Sequence, residues 1–193
     1  MGAQDLRIGI VVGSTRPGRK GEQVARWVLD QAATRDARYE IIDLEEHPLP
    51  FYDEARPPSA HQYEHPYSLA WAAAIDPYDA FVFVTPEYNH SIPAVLKNAI
   101  DYLNREWNNK AAAIVSYGAS TSGNRAAEHL RQVLAEVQVA TVQRQIGFSI
   151  LTDFEDRAVF RPNERQAATL QVELDQLEAW AGALKPLRVA AHV

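Results

Sequence analysis

The amino-acid sequence predicts an α/β fold in which helices cover both faces of a five-stranded parallel sheet. Apolar runs rich in β-branched residues alternate along the chain with longer segments of helical periodicity. Strands that alternate with helices favour a parallel sheet, because each right-handed crossover packs a helix against it. The 193 residues are typical of one domain, and no linker rich in Ser, Gly or Pro divides them. We therefore predict a single domain over residues 1–193.

The composition excludes several kinds of chemistry. The chain is 47% hydrophobic and 23% charged, which is typical of a globular protein with a packed core. It contains no cysteine, so it has no disulfide, thiolate nucleophile, iron–sulfur cluster or cysteine-based zinc site. Redox chemistry would therefore require a bound cofactor.

The net charge and the apolar segments indicate where the chain acts. A formal charge of −6 opposes general binding to nucleic acid or to an anionic membrane. No apolar run approaches the ~20 residues of a membrane span, and residues 1–5 do not resemble the start of a signal peptide. We expect a cytoplasmic protein without a nucleic-acid or membrane partner.

The first elements are predicted by a β-branched run and a helical stripe. Leu6–Val12 stops abruptly at Gly13 and is typical of a strand buried on both faces. From Glu22, apolar residues at helical spacing predict a helix to about Arg35. The run Tyr39–Leu44 then predicts the second strand.

The same alternation continues through the middle of the chain. A proline-rich loop leads to a helix predicted around Tyr67–Ile75, and the apolar run Ala80–Val84 predicts the third strand. Pro93 stands where the first turn of a helix accepts proline, so a helix is predicted over Ala94–Leu103. The small apolar residues of Ala111–Val115 predict the fourth strand.

The last third of the chain completes the sheet. Helical periodicity is expected over Asn124–Val137, and a weaker strand covers part of Ala140–Ile146. Apolar residues at helical spacing predict a last helix from about Asn163 to Leu184. We predict the flavodoxin-like strand order 2-1-3-4-5. In such a sheet the ligand lies beyond the carboxyl ends of the strands, where the order reverses between the first and third strands.

The loop after the first strand, residues 13–21, holds three glycines and three cations. Backbone N–H groups at a helix start, small hydroxyl side chains and an arginine fork suit a phosphate group. We assign phosphate binding to Ser14, Thr15 and Arg16, with Gln23 as a further donor. A nucleotide-hydrolysing P-loop is disfavoured, because the chain continues with Arg19-Lys20 and offers no hydroxyl for magnesium there.

The loop after the third strand, Thr85–Pro93, is stiffened by two prolines. Tyr88 offers a flat apolar face with a polar tip, which suits the edge of a planar heterocycle. The alternative is an ordinary strand-to-helix connection capped by Asn89 or Ser91.

The loop after the fourth strand, residues 116–125, is built of small residues that let the backbone approach a ligand closely. Its alternative interpretation is a polar turn capped by Ser122. Because all three loops are predicted at one edge of the sheet, we favour a ligand site.

Several motifs occur in a characteristic order over roughly Arg7 to Val139. They are Gly13-Ser14-Thr15-Arg16, Pro48-Leu49-Pro50 before the loop with Tyr52-Asp53-Glu54, Thr85-Pro86-Glu87-Tyr88-Asn89, Leu96-Lys97-Asn98-Ala99-Ile100-Asp101, and Glu106-Trp107 preceding Val115-Ser116-Tyr117-Gly118. In combination they resemble the NADPH-dependent FMN reductases, a family that includes quinone, azo and chromate reductases.

The resemblance implies a cofactor and its contacts. FMN would place its phosphate in the first loop, and NADPH or NADH would reduce it before a quinone, free flavin or azo compound reoxidises it in a ping-pong cycle. The chemistry would occur at flavin N5, so no catalytic side chain is expected. The implied ring contacts are Pro86, Glu87, Tyr88 and Asn89 against the isoalloxazine, and Ser116, Tyr117 and Gly118 near its pyrimidine side.

The resemblance also implies an assembly and exposes one departure. Relatives form homodimers or tetramers in which a second subunit closes each flavin site, with Trp107 suggested at a subunit contact. They usually carry paired glycines in the third loop, where this chain has Ala119 and Ser122. If the loop requires positive φ there, both residues would be strained, although Ser122 would also serve as a helix cap.

Other interpretations stay open at this stage. The leading one is a non-catalytic FMN protein, either an electron carrier or a redox-sensing interaction module, and another is a relative that has lost its flavin. His61 and His65 have a spacing that suits a metal on a helix, but Pro66 follows directly and no third ligand is evident, so no metal site is expected. The physiological acceptor and the choice between NADPH and NADH are not set by the sequence.

Overall fold

The computed structural model describes residues 6–191, with side chains described to residue 188. Residues 1–5, for which the sequence predicts no signal segment, and residues 192–193 lie outside the described residues. The strands are β1 Arg7–Val12, β2 Arg38–Asp43, β3 Ala80–Pro86, β4 Lys110–Gly118, β5 Val139–Thr141, β6 Ile146–Ser149, β7 Phe154–Glu155 and β8 Val159–Phe160. The helices are α1 Gly21–Ala32, α2 Pro66–Ile75, α3 Ala94–Asp101, α4 Asn124–Glu136 and α5 Glu164–Ala191.

The main sheet has the predicted order β2-β1-β3-β4-β5, and its pairings are parallel. Helices α1 and α5 pack on one face and α2, α3 and α4 on the other, each over its own buried apolar cluster. Strands β3 and β4 are buried throughout, which explains the apolar runs Ala80–Val84 and Ala111–Val115 within them. The direction of the strand order reverses between β1 and β3, so the predicted ligand edge is present.

The fifth position of the sheet is divided between two short strands, where the sequence predicts one. β5 pairs with the start of β4 and β6 with its end. In the gap between them, the Ile114 N–H donates to the Glu173 carboxylate of α5 at 3.0 Å. Glu173 is fully buried, and burial raises the pKa of its carboxyl to about 8. The strand is interrupted because a side chain from α5 satisfies the ladder N–H in its place.

Helix α5 extends beyond the predicted end at Leu184 and includes Pro186. Its last turns are attached to the base of the sheet, because Lys185 and Arg188 both pair with Asp79. Arg188 also donates to the Asn109 carbonyl at 2.8 Å. These contacts favour helix continuation despite the proline. No helix within residues 6–191 is long and apolar enough to cross a membrane.

The tryptophans differ in their exposure to solvent. Trp71 and Trp107 are buried in the core, and the Trp107 indole N–H donates to the Ile100 carbonyl at 3.1 Å. The Trp107 side chain thus packs within its own chain, which argues against the subunit contact suggested for it. Trp180 is 45% exposed, while Leu177 and Ala181 on the same helix are buried.

Candidate functional site

The loops after β1, β3 and β4 surround a cavity of about 450 Å³ at the carboxyl edge of the sheet. Cofactor pockets are commonly of this size. Residues predicted from sequence that line it are Arg16, Pro86, Glu87, Tyr88, Tyr117 and Gly118. Ile150 and Arg157, which sequence reasoning missed, also line it.

The first loop begins at the end of β1, and its first residue contacts β3 closely. The Gly13 N–H donates to the Val84 carbonyl at 2.9 Å, and a Cβ at Gly13 would lie 2.9 Å from Leu96 Cδ2. Ser14 is buried, and its hydroxyl lies 2.9 Å from the Tyr88 hydroxyl. Ser14 therefore links the first loop to the second, and Thr15 lies half-buried beside it.

The cations of the first loop have different surroundings. The guanidinium of Arg19 is buried and pairs with Glu22, Asp43 and Glu45 at 2.8, 2.7 and 2.6 Å. The positive charge of Arg19 is therefore already paired with carboxylates of the chain. Arg16 and Lys20 line the cavity and form no ion pair with the residues described. They are the cations of this loop that a bound anion can use.

The Gln23 side chain is hydrogen-bonded to the backbone of the β7–β8 hairpin. Its amide nitrogen donates to the Ala158 carbonyl at 2.9 Å, and its amide oxygen accepts from the Phe160 N–H at 2.9 Å. Both polar ends of the side chain thus hold the β7–β8 hairpin against α1. This engagement argues against the phosphate contact predicted for Gln23.

The second loop contains a tight turn at Asn89 and His90. Tyr88 and Ser91 exchange backbone hydrogen bonds of 2.8 and 3.0 Å across it. Both turn residues have positive φ, 49° and 72°, as a two-residue type I′ turn requires. Asn89 lies exposed on the turn and does not line the cavity, whereas Tyr88 does. The alternative cap by Asn89 or Ser91 is wrong, because α3 follows Pro93 without a side-chain cap.

Glu87 fastens the second loop to the third. Its N–H donates to the Tyr117 carbonyl at 3.0 Å, and its carboxylate accepts from the Thr121 hydroxyl at 2.9 Å and from Arg125 Nε at 2.6 Å. Burial opposes the charge, but hydrogen bonds from Arg125 and Thr121 hold the pKa of the Glu87 carboxyl below its usual value. Glu87 therefore stays ionised as a clamp and is not poised as a base.

The third loop folds back on the end of β4 in a way that only glycine permits. Gly123 has a φ of +79°, and a Cβ there would lie 2.8 Å from both Ser116 Cβ and Tyr117 N. A Cβ at Gly118 would lie 2.9 Å from Gly123 N. Gly118 lines the cavity beside Tyr117, and Gly123, which is not a lining residue, lets the loop pack closely against Ser116 and Tyr117.

The role of Ser116 differs from the prediction. It is fully buried, and its hydroxyl donates to the Ser122 carbonyl at 2.8 Å. The side chain therefore supports the third loop from beneath and does not line the cavity. The pyrimidine contact implied for it is not supported by its side chain.

The departure from paired glycines has a mixed outcome. Ser122 has a φ of +55°, whereas Ala119 is not among the residues with positive φ. The prediction of strained backbone is therefore confirmed for Ser122 and wrong for Ala119. Ser122 is also not the cap of α4, because Gly123 occupies that position without a side-chain hydrogen bond.

We expect Ser122→Gly to tighten FMN by up to about 1 kcal/mol, because it removes left-handed strain from a loop that faces the cavity. Ala119→Gly should not tighten it, since that position carries no such strain. Quenching of FMN fluorescence during titration measures both dissociation constants. A larger gain for Ala119→Gly than for Ser122→Gly would contradict this explanation.

The chemistry of the lining is that of a binding site. Tyr117 is buried, and burial raises the pKa of its phenol, so the hydroxyl stays neutral. Cations that form no ion pair among the described residues line the cavity together with Pro86, Tyr88 and Gly118. This lining fits a planar molecule that carries a phosphate, and FMN has both features.

The histidines considered for a metal contact different carboxylates. His61 Nδ1 lies 3.3 Å from Glu106, and His65 Nε2 lies 4.0 Å from Asp53. Helix α2 begins only at Pro66, so the two rings do not share a helical face. The other acidic cluster of the described chain, Glu22, Asp43 and Glu45, surrounds Arg19.

The fold and the cavity define a flavodoxin-like α/β protein with a cavity at the switch point of its sheet. Residues 6–153 match the family model described as NADPH-dependent FMN reductase. The chain therefore belongs to the NADPH-dependent FMN reductase family.

Individual relatives agree with this membership. A protein from Nectria sp. named NAD(P)H-dependent FMN reductase is 38% identical over 157 residues, which cover 76% of this chain and 78% of that protein. A protein from Pseudomonas putida named quinone reductase is 30% identical over 190 residues, covering 92% of this chain and 96% of that protein. The structure of a flavoenzyme NAD(P)H:(acceptor) oxidoreductase from Paracoccus denitrificans superposes with a TM-score of 0.73 at 23% identity, covering 93% and 98% of the two chains.

Proposed function

We propose that this chain binds FMN in the cavity between its three loops and uses it to pass hydride from NAD(P)H to a small acceptor such as a quinone. The observation that carries the proposal is the cavity itself, where cations that form no ion pair among the described residues lie with Pro86, Tyr88 and Gly118 at the switch point of the sheet. Family membership and the relatives named FMN reductase and quinone reductase support it.

Of the residues predicted to hold FMN, Arg16, Pro86, Glu87, Tyr88, Tyr117 and Gly118 line the cavity, whereas Ser14, Thr15 and Asn89 do not. The first loop, with Ser14, Thr15 and Arg16, would take the phosphate. The segment Pro86–Tyr88 would face the ring system, and the backbone of Tyr117 and Gly118 its polar edge. When bound, the flavin supplies the hydride chemistry between nicotinamide and acceptor.

The chain itself contributes orientation and electrostatics. Glu87, Ser116 and Gly123 fix the third loop, so that its backbone N–H groups are preorganised to stabilise negative charge that develops at the edge of a bound ring. Tyr88 is fixed through Ser14, so its ring forms a rigid wall of the cavity. No side chain is required to move a proton.

We also propose, from the family resemblance, a homodimer or tetramer in which a second subunit covers the open side of the cavity. We further propose the cytoplasmic location that the sequence analysis predicts. The choice between NADPH and NADH is left to the assay below.

The test is a titration of the purified protein with FMN, followed by steady-state assays. We expect about one FMN per chain, bound at micromolar protein, and turnover of NADPH or NADH with a benzoquinone. Absence of FMN binding at micromolar protein would overturn the proposal. Tight binding without turnover of quinone, free FMN or an azo dye would favour an electron carrier.

A further inference from the structure

The β7–β8 hairpin forms a wall of the cavity that the sequence did not predict. It follows β6 directly, and two residues of this region, Ile150 and Arg157, line the cavity with the first loop. Arg157 lies at the tip of the hairpin, and Arg16 and Lys20 line the same cavity from the loop after β1.

The hairpin is fixed against the body of the domain. Phe160 contacts the rings of Trp27, Phe148 and Phe154, with centroid separations of 5.6, 4.7 and 4.9 Å. The Gln23 amide bonds the hairpin backbone at both of its polar ends. The hairpin is therefore a built part of the fold, and its tip has a defined position.

The Arg157 side chain at the tip has no hydrogen-bond or ion-pair partner among the described residues. Asp156 and Arg157 both have positive φ, 51° and 55°, in a turn closed by a 3.1 Å bond from the Arg157 N–H to the Phe154 carbonyl. The other arginine of the hairpin region, Arg161, pairs with Glu155 at 2.8 Å. Arg157 forms no ion pair within the described residues, although it lies in a chain with an excess of acidic groups.

The charges around the cavity point to an anion. Arg16, Lys20 and Arg157 line it and form no ion pair among residues 6–188, and the carboxylate of Glu87 is already paired with Arg125. Like charges that converge on one cavity repel each other until an anion binds between them. A phosphate dianion satisfies several guanidinium and ammonium groups at once.

We propose that Arg157 is a phosphate-binding residue that closes the cavity over a phosphate of the bound cofactors. The inference rests on the proposed function and adds a residue from outside the three loops. Two sources offer the same chemistry, the 5′-phosphate of FMN and the 2′-phosphate of NADPH.

The test compares Arg157→Ala with the parent protein in two measurements. If Arg157 binds the FMN phosphate, the dissociation constant for FMN rises about 10-fold to 100-fold, while that for riboflavin is unchanged. If it binds the 2′-phosphate, FMN binding is unchanged, and KM for NADPH rises by a similar factor while KM for NADH does not. Arg157→Lys should retain part of either effect, because it keeps the charge but loses the bidentate fork.

Arg165→Ala is the matched control, since it removes one exposed cation from α5 outside the cavity and should change neither quantity. If Arg157→Ala behaves like Arg165→Ala in both measurements, the inference is overturned while FMN binding by the parent still supports the proposed function. Failure of the parent to bind FMN would instead overturn the proposed function.

Gln23 gives a second, independent variant. As a positioning residue for the hairpin, Gln23→Ala should shift the same phosphate-dependent quantity as Arg157→Ala, in the same direction. The double variant should then be no worse than Arg157→Ala alone. Additive effects in the double variant, or a loss of riboflavin binding with Gln23→Ala, would contradict the positioning role.

Discussion

Replacing Gly123 with alanine should abolish measurable FMN binding and lower the stability of the protein. Its φ of +79° penalises any Cβ, and the new atom would lie 2.8 Å from Ser116 Cβ and Tyr117 N. Backbone atoms cannot move away as the end of a flexible side chain can. We therefore expect the free energy of unfolding to fall by about 2–4 kcal/mol. Denaturant unfolding and an FMN titration measure the two consequences.

Gly182→Ala is the control for this variant. Gly182 lies in α5, and a Cβ there would meet no atom within 4 Å. It should stabilise the protein by about 0.5–1 kcal/mol, because alanine suits a helix interior better than glycine. A Gly123→Ala protein with parental stability and parental FMN affinity would show that the third loop does not form the cradle described.

Replacing Arg16 with alanine should weaken FMN by about 1.5–3 kcal/mol and riboflavin much less. Arg16 lines the cavity without an ion pair to any described residue, so its charge is available to the phosphate that riboflavin lacks. Paired fluorescence titrations with the two flavins measure the difference.

Arg26→Ala is the matched control, because Arg26 is an exposed residue of α1 that forms no ion pair with the described residues and lies outside the cavity lining. It should leave both affinities unchanged. Equal losses of FMN and riboflavin with Arg16→Ala would place Arg16 against the ring system or in the folding of the loop, and would refute the phosphate assignment.

The parts of the fold that the sequence predicted are those specified by local pattern. β1, β3 and β4 contain continuous apolar runs because helices cover both faces of the sheet, and their buried positions bear this out. The division of the fifth strand could not be seen in this way. It depends on Glu173, which reaches Ile114 across 59 residues of sequence.

The candidate site also has parts that could be predicted from local sequence and parts that could not. Loops that follow buried strands were predictable, since the carboxyl ends of parallel strands share an edge. The hairpin that carries Arg157 has strands of two residues, too short to leave a pattern. Its position depends on Gln23 and Trp27, more than 120 residues away in sequence.

Residue type also does not reveal backbone strain. Ala119 and Ser122 stand in the same loop, and only the second has positive φ. The loop folds back on the end of β4, where the Ser116 hydroxyl donates to the Ser122 carbonyl at 2.8 Å and Gly123 approaches Ser116 and Tyr117, and these contacts are not visible in the residue types.

The central claim is that one cavity serves a nicotinamide donor and a small acceptor in turn through bound FMN. The most direct measurement mixes the FMN-loaded protein with NADPH or NADH in the absence of oxygen and follows the visible absorbance of the oxidised flavin. The nicotinamide is then removed and a benzoquinone is added. We predict stoichiometric bleaching by at least one nicotinamide and full recovery of the absorbance by the quinone. Bound FMN that neither nicotinamide bleaches, or reduced protein that the quinone leaves bleached, would contradict the proposed function.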